Sequence, residues 1–215
     1  MSALAEIPAR LSGDMRAGNL RREDLEAFEG LLSQHGRGAL LVTGAGDGPL
    51  ALSTGLASAG ATRGMRTALL ECDLARPALA AALGLQTAPG LCEYLRREAG
   101  ARDILQSLVL AGPASAGAGA LTCIVAGEPD GDPGAFDPDG LRHALEKLRH
   151  AYNLLVVQGP PLGDRSGLLR EAAGKAEAAF ACVGPSLAAG RAGRRLRKSL
   201  RRLGAPGGVV VYRDT

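Results

Sequence analysis

The residues with most chemical promise lie in one turn, Gly44-Ala45-Gly46-Asp47-Gly48-Pro49, which follows the apolar run Ala39-Leu40-Leu41-Val42-Thr43 and leads to Ser53-Thr54. A strand that ends in glycines and feeds a helix offers backbone N–H groups and the positive end of a helix dipole, so phosphate is the ligand this arrangement suits. A complete phosphate loop reads G-x-x-x-x-G-K-[ST]. Its glycines let the chain curl round the phosphates, its lysine neutralises their charge, and its hydroxyl holds magnesium. Aligned on Ser53-Thr54, the sequence has Leu52 at the lysine position and Ala51 at the last glycine. With the loop's fixed charge lost and a branched apolar side chain set against the phosphate, tight ATP binding is not expected. Gly48, Ser53 and Thr54, with Asp73 further on, remain as nucleotide contacts for weak ATP and magnesium binding; an ordinary strand-to-helix turn is the alternative.

A dinucleotide site is a competing reading of Gly44-x-Gly46-x-Gly48, because Glu71 or Asp73 stands where an acid would hold a ribose. The spacing argues against it: the third glycine comes one residue early, and Pro49 takes its place. None of Tyr94, Tyr152 and Tyr212 has a lysine four residues later, as the short-chain dehydrogenase pair requires. His35, His143 and His150 form no metal-spaced set with nearby carboxylates, and His143 and His150 share a solvated helix face. Cys72, Cys92, Cys123 and Cys182 lack C-x-x-C spacing, so they are expected to be reduced, buried thiols, and no metal site is predicted.

These positions need a scaffold, and the hydrophobic pattern supplies one. Apolar residues make up 46% of the 215, yet aromatics are only 3% and tryptophan is absent, so the core is built from many small aliphatic contacts. Continuous apolar runs at 39–43, 67–71, 121–125, 154–157, 178–183 and 208–212 read as strands covered on both faces. Helical periodicity fills the intervals at 24–33, 50–63, 91–98, 101–107, 141–150, 168–175 and 187–203. Strands alternating with helices predict a single α/β domain over residues 23–215 with a doubly wound, mostly parallel sheet. Residues 1–22, 111–119 and 128–140 are rich in small or turn-forming residues and are expected to be flexible. The N-terminus carries Glu6, Arg10, Asp14 and Arg16 in place of an apolar leader, and no run is long enough to span a bilayer, so a cytoplasmic protein is expected.

Several segments, taken in order, resemble the bacterial tyrosine kinases of capsular and exopolysaccharide synthesis. Leu69-Leu70-Glu71-Cys72-Asp73-Leu74-Ala75-Arg76-Pro77, then Leu83-Gly84-Leu85 and Pro89-Gly90-Leu91-Cys92-Glu93-Tyr94-Leu95, follow that family's D-x-D-L-x-R-P, F-G-L and P-G-L-x-x-x-L succession. The stretch 152–161, YNLLVVQGPP, is similar to its Y-D-x-V-I-I-D-T-P-P segment. The resemblance covers about Asp24 to Thr215 and implies a P-loop NTPase fold of the MinD, ParA and tyrosine autokinase type.

It also implies what has been lost. The family's catalytic Asp after the second strand corresponds to Glu71, its partner survives as Asp73, and the metal-organising Asp corresponds to Gln158, which carries no charge to hold magnesium. A further family Asp aligns with Gly167, three residues after Asp164, and the adenine-facing Asn aligns with Arg213. At the family's E-x-x-R-x-x-R oligomerisation motif, Glu26 is followed by Glu29 and Leu32, which puts ring assembly in doubt. The sequence ends at Asp214-Thr215 without a tyrosine cluster, so autophosphorylation of a tail is not expected. Changes at functionally linked positions, Leu52, Glu71 and Gln158, beside intact structural punctuation such as Arg76-Pro77 and Pro160-Pro161, read as a pseudoenzyme with no catalytic residues and no tight cofactor.

One more cluster stands out. Arg191, Arg194, Arg195, Arg197, Lys198, Arg201 and Arg202 share a helical stretch with Leu196, Leu200 and Leu203 as its apolar stripe. A solvated outer face is the plain reading; an acidic partner or the anionic inner face of the membrane is the functional one. Nucleic acid is disfavoured, since no aromatic stands there to stack on bases. The function that emerges is a regulator or scaffold of polysaccharide assembly and export. Its expected protein partner is a membrane chain-length protein or an active kinase homologue. A residual ATP-binding kinase or ATPase, or a MinD-like membrane-associated adaptor, is the alternative.

Overall fold

Each unbroken apolar run is a strand, and each strand feeds both faces of one sheet. The computed structural model describes residues 5–8, 22–35, 37–44, 46, 48–110, 119–129, 137–164, 167–188 and 190–213. Along the chain come β1 (Ala5–Pro8), α1 (Arg22–His35), β2 (Gly38–Gly44), α2 (Gly48–Thr62), β3 (Thr67–Glu71), α3 (Leu79–Leu83), α4 (Leu91–Leu95) and β4 (Gln106–Leu110). They are followed by β5 (Gly119–Ile124), α5 (Pro138–Ala151), β6 (Leu154–Gln158), α6 (Leu168–Ala173), β7 (Ala178–Val183), α7 (Pro185–Ala188), α8 (Gly190–Arg202) and β8 (Gly207–Arg213).

The sheet has eight strands in the order β1-β8-β7-β2-β6-β3-β5-β4. All the pairings are parallel except that of β4 with β5. This is the doubly wound, mostly parallel α/β architecture. Because side chains alternate along a strand, Leu40, Val42, Leu69 and Val156 face the α1, α2 and α3 layer. Ala39, Leu41, Leu70 and Val157 face the other layer, formed by α4, α5, α6 and α8. Phe28 and Leu31 of α1 and Leu56 of α2 fill the first core; Leu91, Leu141, Leu145 and Leu200 fill the second. All four cysteines are buried and unbridged, and burial pushes the Cys123 and Cys182 thiols up to about 12.

The structure departs from expectation in several places. Ala5–Pro8, within the stretch expected to be flexible, forms an edge strand paired with β8, and Ile7 is only 2% exposed. The helix expected over 101–107 gives way to β4, an antiparallel edge strand with Val109 64% exposed. The single helix expected over 187–203 is two, α7 and α8, with Gly190 at φ +59 where α8 begins. A short helix, α3, lies where none was expected. Most of residues 1–22, and residues 111–118 and 130–136, lie outside the described residues. Among the described residues, no helix is long and apolar enough to cross a membrane.

Candidate functional site

In a doubly wound sheet, ligands sit beyond the carboxyl ends of the strands. Here β6 lies between β2 and β3, and its last residue, Gln158, is in register with Val42 on one side and Glu71 on the other. β2 ends in the glycine turn and delivers α2, so Ser53 arrives directly beside Gln158. The Ser53 hydroxyl is 3.3 Å from Gln158 Oε1 and 3.0 Å from the Leu50 carbonyl, and its one proton serves both acceptors. Thr54 Oγ1 turns back into α2, donating to the Leu50 carbonyl at 2.6 Å and lying 3.2 Å from that of Ala51. The hydroxyl position and the metal-organising position are thus brought together as a neutral pair.

Leu52 is elsewhere. Its side chain is fully buried in the core with Phe28, Leu40, Leu56 and Leu69, which corrects the expectation that it stands against a phosphate. The reason is the setting of α2, which is buried along nearly its whole length. An apolar side chain here gains about 2 kcal/mol by joining the core.

Glu71 takes a structural place. Its carboxylate is fully buried. Oε1 accepts the Ala78 and Leu79 N–H groups at 2.6 and 2.8 Å, and Oε2 accepts the Ala126 N–H at 3.0 Å. It thereby caps α3 from outside the helix and ties the end of β5 to the loop after β3. Burial outweighs these bonds and raises its pKa above the usual carboxylate range, and the Asp73 charge adds to the rise.

Asp73 is different. It is 6% exposed and pairs through Oδ2 with Arg76 at 2.9 Å, while its other oxygen, Oδ1, is buried with no hydrogen-bond partner. Burial raises its pKa, Arg76 opposes the rise, and the negative charge of Asp164 adds to it. Asp164 is therefore the nearby acid after the Pro160-Pro161 pair, whereas Gly167 serves as the N-cap of α6 at φ +89. Among the described residues, no group of three or more His, Cys, Asp or Glu side chains is placed to hold a metal ion. Among the described residues, the strand ends offer one carboxylate oxygen without a partner, a neutral amide and a hydroxyl, and no lysine.

Sequence reasoning missed Tyr212. From β8 its ring lies against the glycine turn: a Cβ at Gly48 would come within 2.2 Å of Tyr212 Cδ1, and one at Gly46 within 2.6 Å of its Oη. Gly46, at φ +72, also has a backbone that side-chain-bearing residues rarely adopt. The glycines are needed here by an aromatic ring of the protein itself. No local signal announces this, since the two segments lie at opposite ends of the sequence.

The seven basic residues are all on α8. Six are exposed, while Arg197 is half-buried, its guanidinium turned toward Gly193. An open pocket of about 600 Å³ lies on another part of the molecule, lined by Tyr94, Arg97, Glu98, Asp137 and His143 among others, and includes none of the strand-end residues.

Sheet order, the glycine turn after β2 and the paired strand ends define a P-loop NTPase-type fold of the MinD and bacterial tyrosine kinase kind. The chain is similar over its full length to the kinase domain of the Escherichia coli tyrosine kinase ETK, with a TM-score of 0.77, 19% identity and 91% of that chain covered. It is similar to the chimerical protein CapA2B2 at a TM-score of 0.79 and 18% identity, with 99% of this chain and 94% of that one covered. The septum site-determining protein MinD from Pyrococcus horikoshii, complexed with Mg-ADP, matches 80% of this chain and 68% of its own at a TM-score of 0.63 and 18% identity. No protein-family model matches the sequence, and no curated protein does.

Proposed function

We propose that this chain is a catalytically inactive relative of the polysaccharide-synthesis tyrosine kinases, acting in the cytoplasm as a regulator or scaffold of capsule or exopolysaccharide assembly and export. The observation that carries the reading is the neutral Ser53–Gln158 contact at 3.3 Å, at the place where the fold would hold a metal. P-loop enzymes hold Mg²⁺ there with a hydroxyl and a carboxylate and neutralise phosphate with a lysine. Here the carboxylate is an amide, and the lysine position is a leucine buried in the core. The residues present do not fit a tightly held magnesium triphosphate. Tyr212, lying on the glycine turn, supports the same conclusion, because a ligand on that face of the turn has to displace it.

A scaffold needs a partner. The proposed one is a membrane polysaccharide chain-length protein or an active kinase homologue.

One observation favours a second reading. Asp73 Oδ1, buried and unpartnered, leaves a place for a cation, so the second reading is a residual ATP-binding kinase or ATPase that holds ATP with magnesium through Gly48, Ser53, Thr54 and Asp73. Calorimetric titration of MgATP separates the two readings. The proposed function predicts no binding in the micromolar range, and micromolar binding abolished by Asp73→Ala supports the second reading.

A further inference from the structure

α8 carries a charge pattern that the fold itself does not use. At about 100° per residue, the buried Gly193 and Leu200, with the half-buried Leu196, mark the inward side of the helix. Arg191, Arg194, Arg195, Lys198, Arg201 and Arg202, all exposed, fall on the opposite side within an arc of about 120°. Arg197 stands at the edge of this arc. The helix contains no acidic residue, and none of the six cations in the arc forms an ion pair among the described residues. Elsewhere on the surface several cations are paired, Arg96 with Glu93 and Glu98, Arg142 with Asp139 and Glu171, Arg149 with Glu177, and Lys175 with Glu146, and no other helix gathers unpaired cations in such a cluster among the described residues.

This arrangement opposes the helix in two ways. Cations in the first turn, such as Arg191, face the positive end of its dipole. Like charges three and four residues apart repel, as do Arg191 with Arg194 and Arg195, and Lys198 with Arg201 and Arg202. An external array of anions relieves both.

We propose that the outer face of α8 docks on an anionic phospholipid surface. The six cations project from one convex helix along a ridge of about 17 Å. A planar layer of laterally mobile phosphates can meet every one of them. A folded protein partner would instead pair such arginines with aromatic or other apolar anchors in a desolvated centre. The arc has no such anchor, its leucines being turned into the core; among the described residues, Leu187 of α7, 44% exposed, is the one large apolar side chain exposed next to α8. Five of the six cations are arginines, whose guanidinium meets phosphate oxygens with two parallel hydrogen bonds. With its apolar stripe committed to the core, α8 lies on the surface without inserting, so the attachment is electrostatic and salt-sensitive. This inference does not depend on the nucleotide-site reading, and either stands if the other fails.

The test is co-sedimentation of the full chain with vesicles of phosphatidylcholine alone or mixed with phosphatidylglycerol, at low and at physiological salt. The chain binds the mixed vesicles, ignores the neutral ones, and is released by salt. In the variant Arg194→Gln/Arg195→Gln/Lys198→Gln the partition coefficient falls by about a hundredfold, since each basic residue near such a surface is worth about fivefold. Arg97→Gln/Arg102→Gln, exposed cations outside α8, leaves binding unchanged. Equal binding to neutral vesicles, no binding to either, or a triple variant that binds like the parent overturns the proposal. Tighter retention by duplex DNA or by polyglutamate than by mixed vesicles at the same salt also overturns it.

Discussion

Glu71 shows how one residue decides between a chemical and a structural role. The resemblance sets a catalytic Asp at this position, but here a longer side chain reaches the N–H groups of Ala78, Leu79 and Ala126 at once. Shortening it by one methylene withdraws the carboxylate from those donors. Glu71→Asp, which restores the family's residue type, is therefore expected to lower stability by about 1–3 kcal/mol, the cost of leaving buried polar groups unpaired. Chemical denaturation of the two proteins measures it. The pH dependence follows from the same surroundings. Burial raises the pKa values of Glu71 and Asp73, so the folded state keeps protons that the unfolded chain releases. Their combined contribution to stability is greatest below the ordinary carboxylate pKa. It declines as pH rises from that value through the raised ones, and is level above them. Glu71→Gln removes part of this slope, and denaturation midpoints across that pH range reveal the difference.

Among the elements, legibility tracked burial. β2, β3, β6 and β7 are buried on both faces, and their continuous apolar runs announced them. β4 alternates between half-exposed and exposed residues before Leu110, and its sequence, QSLVL, suits an edge strand as readily as a helical turn. α3 has five residues, too few for a 3.6-residue period to show. β1 has four residues, and pairing with β8 at the far end of the chain gives it its place, which no local pattern encodes. The candidate site divides in the same way. Leu52, Glu71 and Gln158 stood out as changed positions because a motif frame located them. Where their side chains go depended on contacts from distant segments, as did the lodging of Tyr212 on the glycine turn. If β1 is an integral part of the sheet, truncating its buried side chain carries the cost of a core cavity. Ile7→Ala is expected to lose about 2–4 kcal/mol in urea denaturation, and a loss near zero would mean that the strand adds little to the fold.

For the molecule as a whole, the fold is of the MinD and bacterial tyrosine kinase type, and its strand ends carry neutral or internally satisfied contacts beside one unpartnered carboxylate oxygen. The eight-stranded sheet keeps the glycine turn, α2 and the ends of β3 and β6 in the places such a site requires. The groups those elements present are a leucine in the core, a hydroxyl shared between an amide and a helix carbonyl, and a glutamate capping a helix. Among the described residues at the strand ends, Asp73, with its unpartnered oxygen, is the one group still suited to a cation. Restoring a single motif residue is not expected to recover a triphosphate site, because Leu52, Glu71 and Gln158 all differ from the motif. Calorimetric titration of MgATP into the full chain, in parallel with Asp73→Ala, tests this most directly. The predicted result is no heat of binding in the micromolar range for either protein. Micromolar binding by the parent that disappears in Asp73→Ala would contradict the account.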